Sequence, residues 1–286
     1  MNMKILFKPF LWIALAVLLG VSAPAQARDN LGYCYGPVMA HIDRSLIKPP
    51  ERELFILLDQ TVRFDKKLAS NLKEKTSEFI RPGDKITIVS FSANANGHFT
   101  EVVFTGALER PLPEKALSRT TPMRQIKAYK KCMRTQEKNG KPFIMKSMFK
   151  ALTLPNDDYD FTNTELIGTI NMLASDLIGK SEIKNRILLV YSDVLENSAL
   201  TTFFKKGEIR KISPKTEMAK VKKAKMIPDL SGTKVYVIGG GWIGEGRPYL
   251  ESRKLNALRA FWEAFFAASG AALEGFGQPV LLTELK

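Results

Sequence analysis

"LFILLDQTVRFDKKL", residues 54–68, decides the fold. Five apolar residues, Leu54 to Leu58, run without alternation and end at Asp59. A strand that reads this way is covered on both faces. From Phe64 the period changes. Phe64, Leu68, Leu72, Thr76, Phe79 and Ile80 fall on one face of a helix, which Pro82 and Gly83 stop. A buried strand, a polar turn and an amphipathic helix make the opening unit of an α/β sheet.

The same grammar recurs downstream. "KITIVSFS" (85–92) and "TEVVFTGAL" (100–108) read as strands joined by the turn-rich "ANANGHF". The link is too short for a parallel crossover, so the two form an antiparallel hairpin. "NRILLVYSD" (185–193) and "TKVYVIGGG" (233–241) are further core strands, and "PVLLTEL" (279–285) reads as a closing edge strand. Helical patterns cover 123–141, 143–154, 165–178 and 253–271. The expectation is a doubly wound, mostly parallel sheet with one antiparallel edge strand and helices on both faces. Its ligands belong beyond the carboxyl ends of the strands, where Asp59 and Asp193 both fall.

Residues 1–27 stand apart. Lys4 and Lys8 precede an apolar run from Phe10 to Ala23, and Ala25-Gln26-Ala27 is a small-x-small cleavage pattern. The segment reads as a secretory signal, with an uncleaved anchor as the alternative, and it implies a periplasmic or secreted protein. Residues 28–50 follow as an extended leader, and 51–286 form the domain, with insertions at about 109–160 and 196–230. Cys34 and Cys132 are the chain's two cysteines. In an oxidising compartment they are expected to pair, and closing so long a loop is worth about 4 kcal/mol. No CxxC is present, and His41 and His98 lack partners at zinc-ligand spacing.

The formal net charge is +14 and the pI about 9.7. Such a balance favours acidic partners or a polyanion. The basic segment 203–225, beginning "FFKKGEIRK", follows Asp193 and starts from the same end of the sheet, with Lys205 and Lys206 foremost. Its cations are spread around a helix without interleaved aromatics, which suits phosphates or anionic lipid better than stacked bases. "GGGWIGEG" (239–246) contains G-x-G-x-x-G, but late in the chain and without room for a further βαβ unit. Its reading is a loop near the top face, with Trp242 either half-buried or offered to a partner. No G-x-S-x-G elbow occurs, nor a histidine beside a nucleophile, so no enzymatic activity is expected.

These pieces together resemble the von Willebrand factor A family. Its metal-ion-dependent adhesion site has D-x-S-x-S after the first strand, a threonine from a middle loop, and an aspartate after a later strand. "DQTVR" resembles the first piece through Asp59 and Thr61. "FTNTEL" resembles the second, with Thr162 as the ligand and Thr164 its neighbour. "LLVYSD" resembles the third through Asp193. The resemblance spans roughly residues 52–285 and implies a binding module whose Mg2+ or Mn2+, held by oxygen ligands, grips a carboxylate of a protein partner. Two departures stand out. Arg63 occupies the position of the third hydroxyl, and "VLEN" follows Asp193 where the family usually has a glycine close by. A guanidinium cannot ligate a cation. Arg63 either turns outward towards the partner or replaces the metal by pairing with Asp59 or Asp193. The expected function is macromolecule binding at the top face, through a divalent cation. The alternative is a metal-free polyanion-binding accessory protein of a secretion or DNA-transfer apparatus. No small-molecule substrate is expected.

Overall fold

The computed structural model describes residues 31–63, 65–94, 97–117, 120–152, 163–244 and 250–286. The signal-like segment 1–27, Phe64 and Thr162 lie outside them. Strand β1 (Arg52–Asp59) is central, with β2 (Asp84–Asn94) parallel on one side and β4 (Asn185–Tyr191) parallel on the other. β3 (Gly97–Ala107) closes one edge, antiparallel to β2. β7 (Thr233–Ile238) and β8 (Ala272–Phe276) extend the other in parallel, giving the order β3-β2-β1-β4-β7-β8. The fold is α/β, with a mostly parallel six-stranded sheet and one antiparallel edge strand.

The alternating residues of β1 explain its unbroken hydrophobicity. Phe55 and Leu57 pack with helices α3 (Leu166–Asp176), α4 (Pro214–Lys223) and α5 (Ser252–Ala268). Leu54, Ile56 and Leu58 pack with α1 (Lys66–Phe79), the end of α2 (Met123–Leu152) and the tail residues Leu281 and Leu285. All five β1 residues are within 1 % of complete burial, and each contributes on the order of 1.5–3 kcal/mol through that burial.

Several expectations are corrected. Helix α1 starts only at Lys66, because the Asp65 carboxylate caps it by accepting from Leu68 N–H at 2.8 Å. The two helices expected over 123–154 are one 30-residue helix with Pro142 inside. Ile144 and Met148, beyond the proline, are fully buried against the sheet layer, and that packing outweighs the lost backbone bond. Gly140 lets the helix approach β3, since a Cβ there would lie 2.6 Å from the Leu108 side chain. "PVLLTEL" is not a strand: Leu281 and Leu285 cover the sheet face while Leu282 is exposed, and β8, "ALEGF", is the edge. Residues 203–212 are not helical either. β5 (Phe204–Lys205) and β6 (Glu208–Ile209) form a hairpin whose turn residues, Lys206 and Gly207, both have positive φ.

Residues 31–50 are also not extended. They hold short 3-10 turns at Gly36–His41 and Arg44–Leu46 and pack Cys34, Tyr35 and Val38 against Leu112 and Tyr129. The Cys34–Cys132 disulfide fastens them to α2, with Cα atoms 5.4 Å apart.

Candidate functional site

The order of the sheet reverses at β1, since β2 lies to one side and β4 to the other. The crevice beyond their carboxyl ends is the natural place for a site. Register matters here. Leu58 pairs with Tyr191, so the next residues, Asp59 and Ser192, leave the sheet side by side. The Asp59 carboxylate is completely buried. Its Oδ1 accepts from the Thr61 backbone N–H at 2.8 Å and from the Thr61 hydroxyl at 2.5 Å, and its Oδ2 accepts from the Ser192 hydroxyl at 2.6 Å. Thr61 Oγ1 lies 3.0 Å from Thr164 Oγ1. Thr164 is held there by a two-way backbone bridge to Asn197, both bonds 2.9 Å long.

Asp193 sits beside this group, 9 % exposed, with Oδ1 accepting from Leu195 N–H at 2.8 Å. Burial pushes its carboxyl well above the usual carboxylate range, and the charge of neighbouring Asp59 pushes further. Burial also raises the Asp59 carboxyl, against the hydrogen bonds from Ser192 and Thr61. Two carboxylates pressed together out of water are costly unless a cation or proton joins them.

The loop carrying Asp193 is strained and braced. Val194 has φ 54°, a left-handed conformation that a β-branched residue adopts at a cost of about 1–3 kcal/mol. It stands at the point where the family resemblance leads one to expect glycine. Two hydrogen bonds and burial hold it: the Trp262 indole donates to its carbonyl at 2.9 Å, its N–H donates to Ser192 Oγ at 3.0 Å, and the residue is 1 % exposed. Glu196, two residues on, is buried and accepts from Ile167 N–H at 3.0 Å, tying the start of α3 to the same loop. Burial lifts its carboxyl to about 7, against hydrogen bonds from Ser198, Ile167 and Leu166.

The remaining expected residues surround a cleft of about 630 Å3 on this face. Thr61, Arg63, Asp193 and Trp242 line it together with Gly207 to Ile209 of the hairpin. Arg63 is exposed. Its carbonyl accepts from the half-buried Trp242 indole at 3.2 Å, and among the described residues no salt bridge joins its side chain to Asp59 or Asp193. The glycine turn after β7 supports the site rather than opening a helix: Gly241 N–H donates to the Asp193 carbonyl at 2.8 Å, and α5 begins only at Ser252. Lys205 and Lys206 are exposed on the hairpin. Thr164 stands beside Thr61, while Thr162 lies outside the described residues. Ser192 and Glu196 were not among the residues expected from sequence. A second cavity, about 690 Å3, lies at the opposite end of the sheet near Pro82, Leu112 and Met133. Its buried polar groups are already used, Tyr129 by Leu112 N–H and Gln136 by Glu109 N–H.

The oxygen donors on the top face fit a hard cation. Asp59, Thr61, Thr164 and Asp193 offer carboxylate and hydroxyl oxygens, the set that Mg2+ and Mn2+ prefer. Among the described residues, no group of three or more His, Cys, Asp or Glu side chains is placed to hold a metal, so waters or a partner's oxygens would have to complete the shell.

No protein-family model matches the chain, and no curated protein matches it in sequence. Among solved structures, it is similar to an aerotolerance-related membrane protein from Bacteroides fragilis NCTC 9343. That similarity has 15 % identity and a TM-score of 0.32, covering 79 % of this chain and 92 % of that one. It is also similar to the TFIIH p34 N-terminal domain, with 12 % identity and a TM-score of 0.27, over 83 % and 95 % of the two chains. Among the described residues, no helix is long and apolar enough to cross a membrane.

Proposed function

We propose that this is an exported binding protein of the bacterial envelope that grips a macromolecular partner in the top-face cleft, through a divalent cation held by Asp59, Thr61, Thr164 and Asp193. The observation that carries this reading is the pair of buried carboxyls, Asp59 and Asp193, each displaced upward by burial and Asp193 further by its neighbour's charge; Asp193 lines an open cleft, and Asp59 lies behind Thr61, which also lines it. A bound Mg2+ or Mn2+ supplies positive charge and an open coordination position for a partner's carboxylate. The chain's own residues do the rest. Ser192 and the Thr61 N–H orient Asp59, the Asn197 bridge positions Thr164, and Val194 holds Asp193 at the cleft floor. Arg63 and Trp242 present a cation and an aromatic ring to the partner at the rim. We assign binding and no reaction to the site.

Calorimetric titration of Mg2+ and Mn2+ into the protein, beside Asp59→Ala, tests this. Heat and a raised melting temperature that vanish in the variant support the reading. Absence of both in the parent protein refutes it and leaves a metal-free surface as the basis of binding.

A further inference from the structure

Helix α2 carries a second feature, remote in character from the carboxylate pair. Arg124, Lys127, Lys131, Arg134, Lys138 and Lys141 recur at steps of three and four residues, so they lie along one face. All six are exposed. The residues that α2 buries (Tyr129, Gln136, Gly140, Ile144 and Met148) occupy the opposite face. At 1.5 Å per residue the row is roughly 25 Å long. The one acid of the helix is Glu137, and among the described residues none of the six cations forms a salt bridge. Lys141 donates to the Ser77 carbonyl at 2.9 Å; among the described residues the other five cations make no side-chain hydrogen bond. The basic segment 203–225 is different: there Arg210 and Lys220 both pair with the buried Glu217.

The chain's own N-terminal segment is on the other side of the helix: Gln136 donates to the carbonyls of Leu31 and Gly32, and Cys34 is bonded to Cys132. The row is left facing outward as a strip of six cations on one face of a helix, a cluster complementary in charge to anionic lipid headgroups. Met123, 64 % exposed, opens the same helix. An exposed apolar group beside cations suits the headgroup region, and the row has no aromatic rings of its own on which bases could stack.

We propose that the outer face of α2 is a docking surface for anionic phospholipid, holding the domain against the membrane with its top-face cleft turned to other partners. A basic residue close to an anionic bilayer is worth about fivefold in partitioning, so removing four should weaken binding on the order of 10^3-fold. The test uses the chain from Arg28 onward, which retains every described element. Its cosedimentation is measured with vesicles of phosphatidylcholine alone and of phosphatidylcholine mixed with phosphatidylglycerol, in chelator. The variants are Lys127→Gln/Lys131→Gln/Arg134→Gln/Lys138→Gln and, as a control, Lys205→Gln/Lys206→Gln. Binding to the anionic vesicles alone, weakened by salt, lost in the α2 variant and kept in the hairpin variant, is the expected result. Equal binding to both vesicles, an unaffected α2 variant, loss in the hairpin variant, or preferential capture by duplex DNA at equal phosphate would each overturn the proposal. Circular dichroism and melting of the α2 variant, whose four changed positions are exposed, separate loss of charge from loss of fold. Because chelator is present throughout, the result is independent of the cation at Asp59.

Discussion

Replacing Glu196 with glutamine should reshape the dependence of stability on pH. The Glu196 carboxyl is 1 % exposed, and burial holds it at about 7 rather than the ordinary 4.5. A raised acid binds its proton more tightly in the folded state. Its stabilisation is complete below about pH 4.5 and is lost as pH rises through 7. The difference between these values corresponds to about 3 kcal/mol. The glutamine variant keeps one acceptor but turns an amide N–H2 towards backbone donors, at a roughly constant cost of about 1–3 kcal/mol. Urea denaturation of both proteins in chelator, at intervals from pH 4 to 8, isolates the effect. Asp59 and Asp193 titrate in both proteins and cancel in the difference. The parent's advantage over Glu196→Gln should therefore shrink by about 3 kcal/mol between pH 4.5 and 7 and then level off. Parallel profiles would show that Glu196 does not carry this proton, and the account of its burial would be wrong.

Asp59→Asn should raise melting temperature in chelator, by a change worth about 1 kcal/mol or more, because it removes one of two crowded charges. The same substitution should abolish any shift on adding Mg2+, so the two readings move in opposite directions. Trp262→Phe should cost about 2–4 kcal/mol in urea titration, since it leaves the buried Val194 carbonyl without its donor and opens space in a core of packed rings. Cys34→Ser should lower stability by about 4–5 kcal/mol, the chain-entropy value for a cross-link spanning 98 residues. Adding a reductant to the parent protein should reproduce that loss in a thermal melt.

The sheet was readable because β1, β4 and β7 are covered on both faces and so print as unbroken apolar runs. β3 was readable because its link to β2 is too short for a crossover. The edge β8 was not: its burial is patchy, and its residues continue the end of the α5 pattern. Helix α2 was split at Pro142 by a local rule that sheet packing overrides. At the site, Asp59 and Asp193 could be found from their places after strands, whereas Ser192 needed the register of β1 against β4. Glu196 gave no local signal, because the amides it serves belong to Leu166 and Ile167, about 30 residues upstream. That Thr164 meets Thr61 likewise depends on a bridge to Asn197 that only the folded chain makes.

The distribution of tryptophans has a practical consequence. Of the three, Trp12 lies in segment 1–27, Trp262 is fully enclosed, and Trp242 is at the rim of the cleft with its indole on the Arg63 carbonyl. In the chain from Arg28 onward, emission comes from one sheltered ring and one wet one. Iodide would reach only the second, so the quenchable part of the native fluorescence is a label already built into the cleft. Occupation of that face by a partner can be followed on the unmodified chain, without attaching a dye.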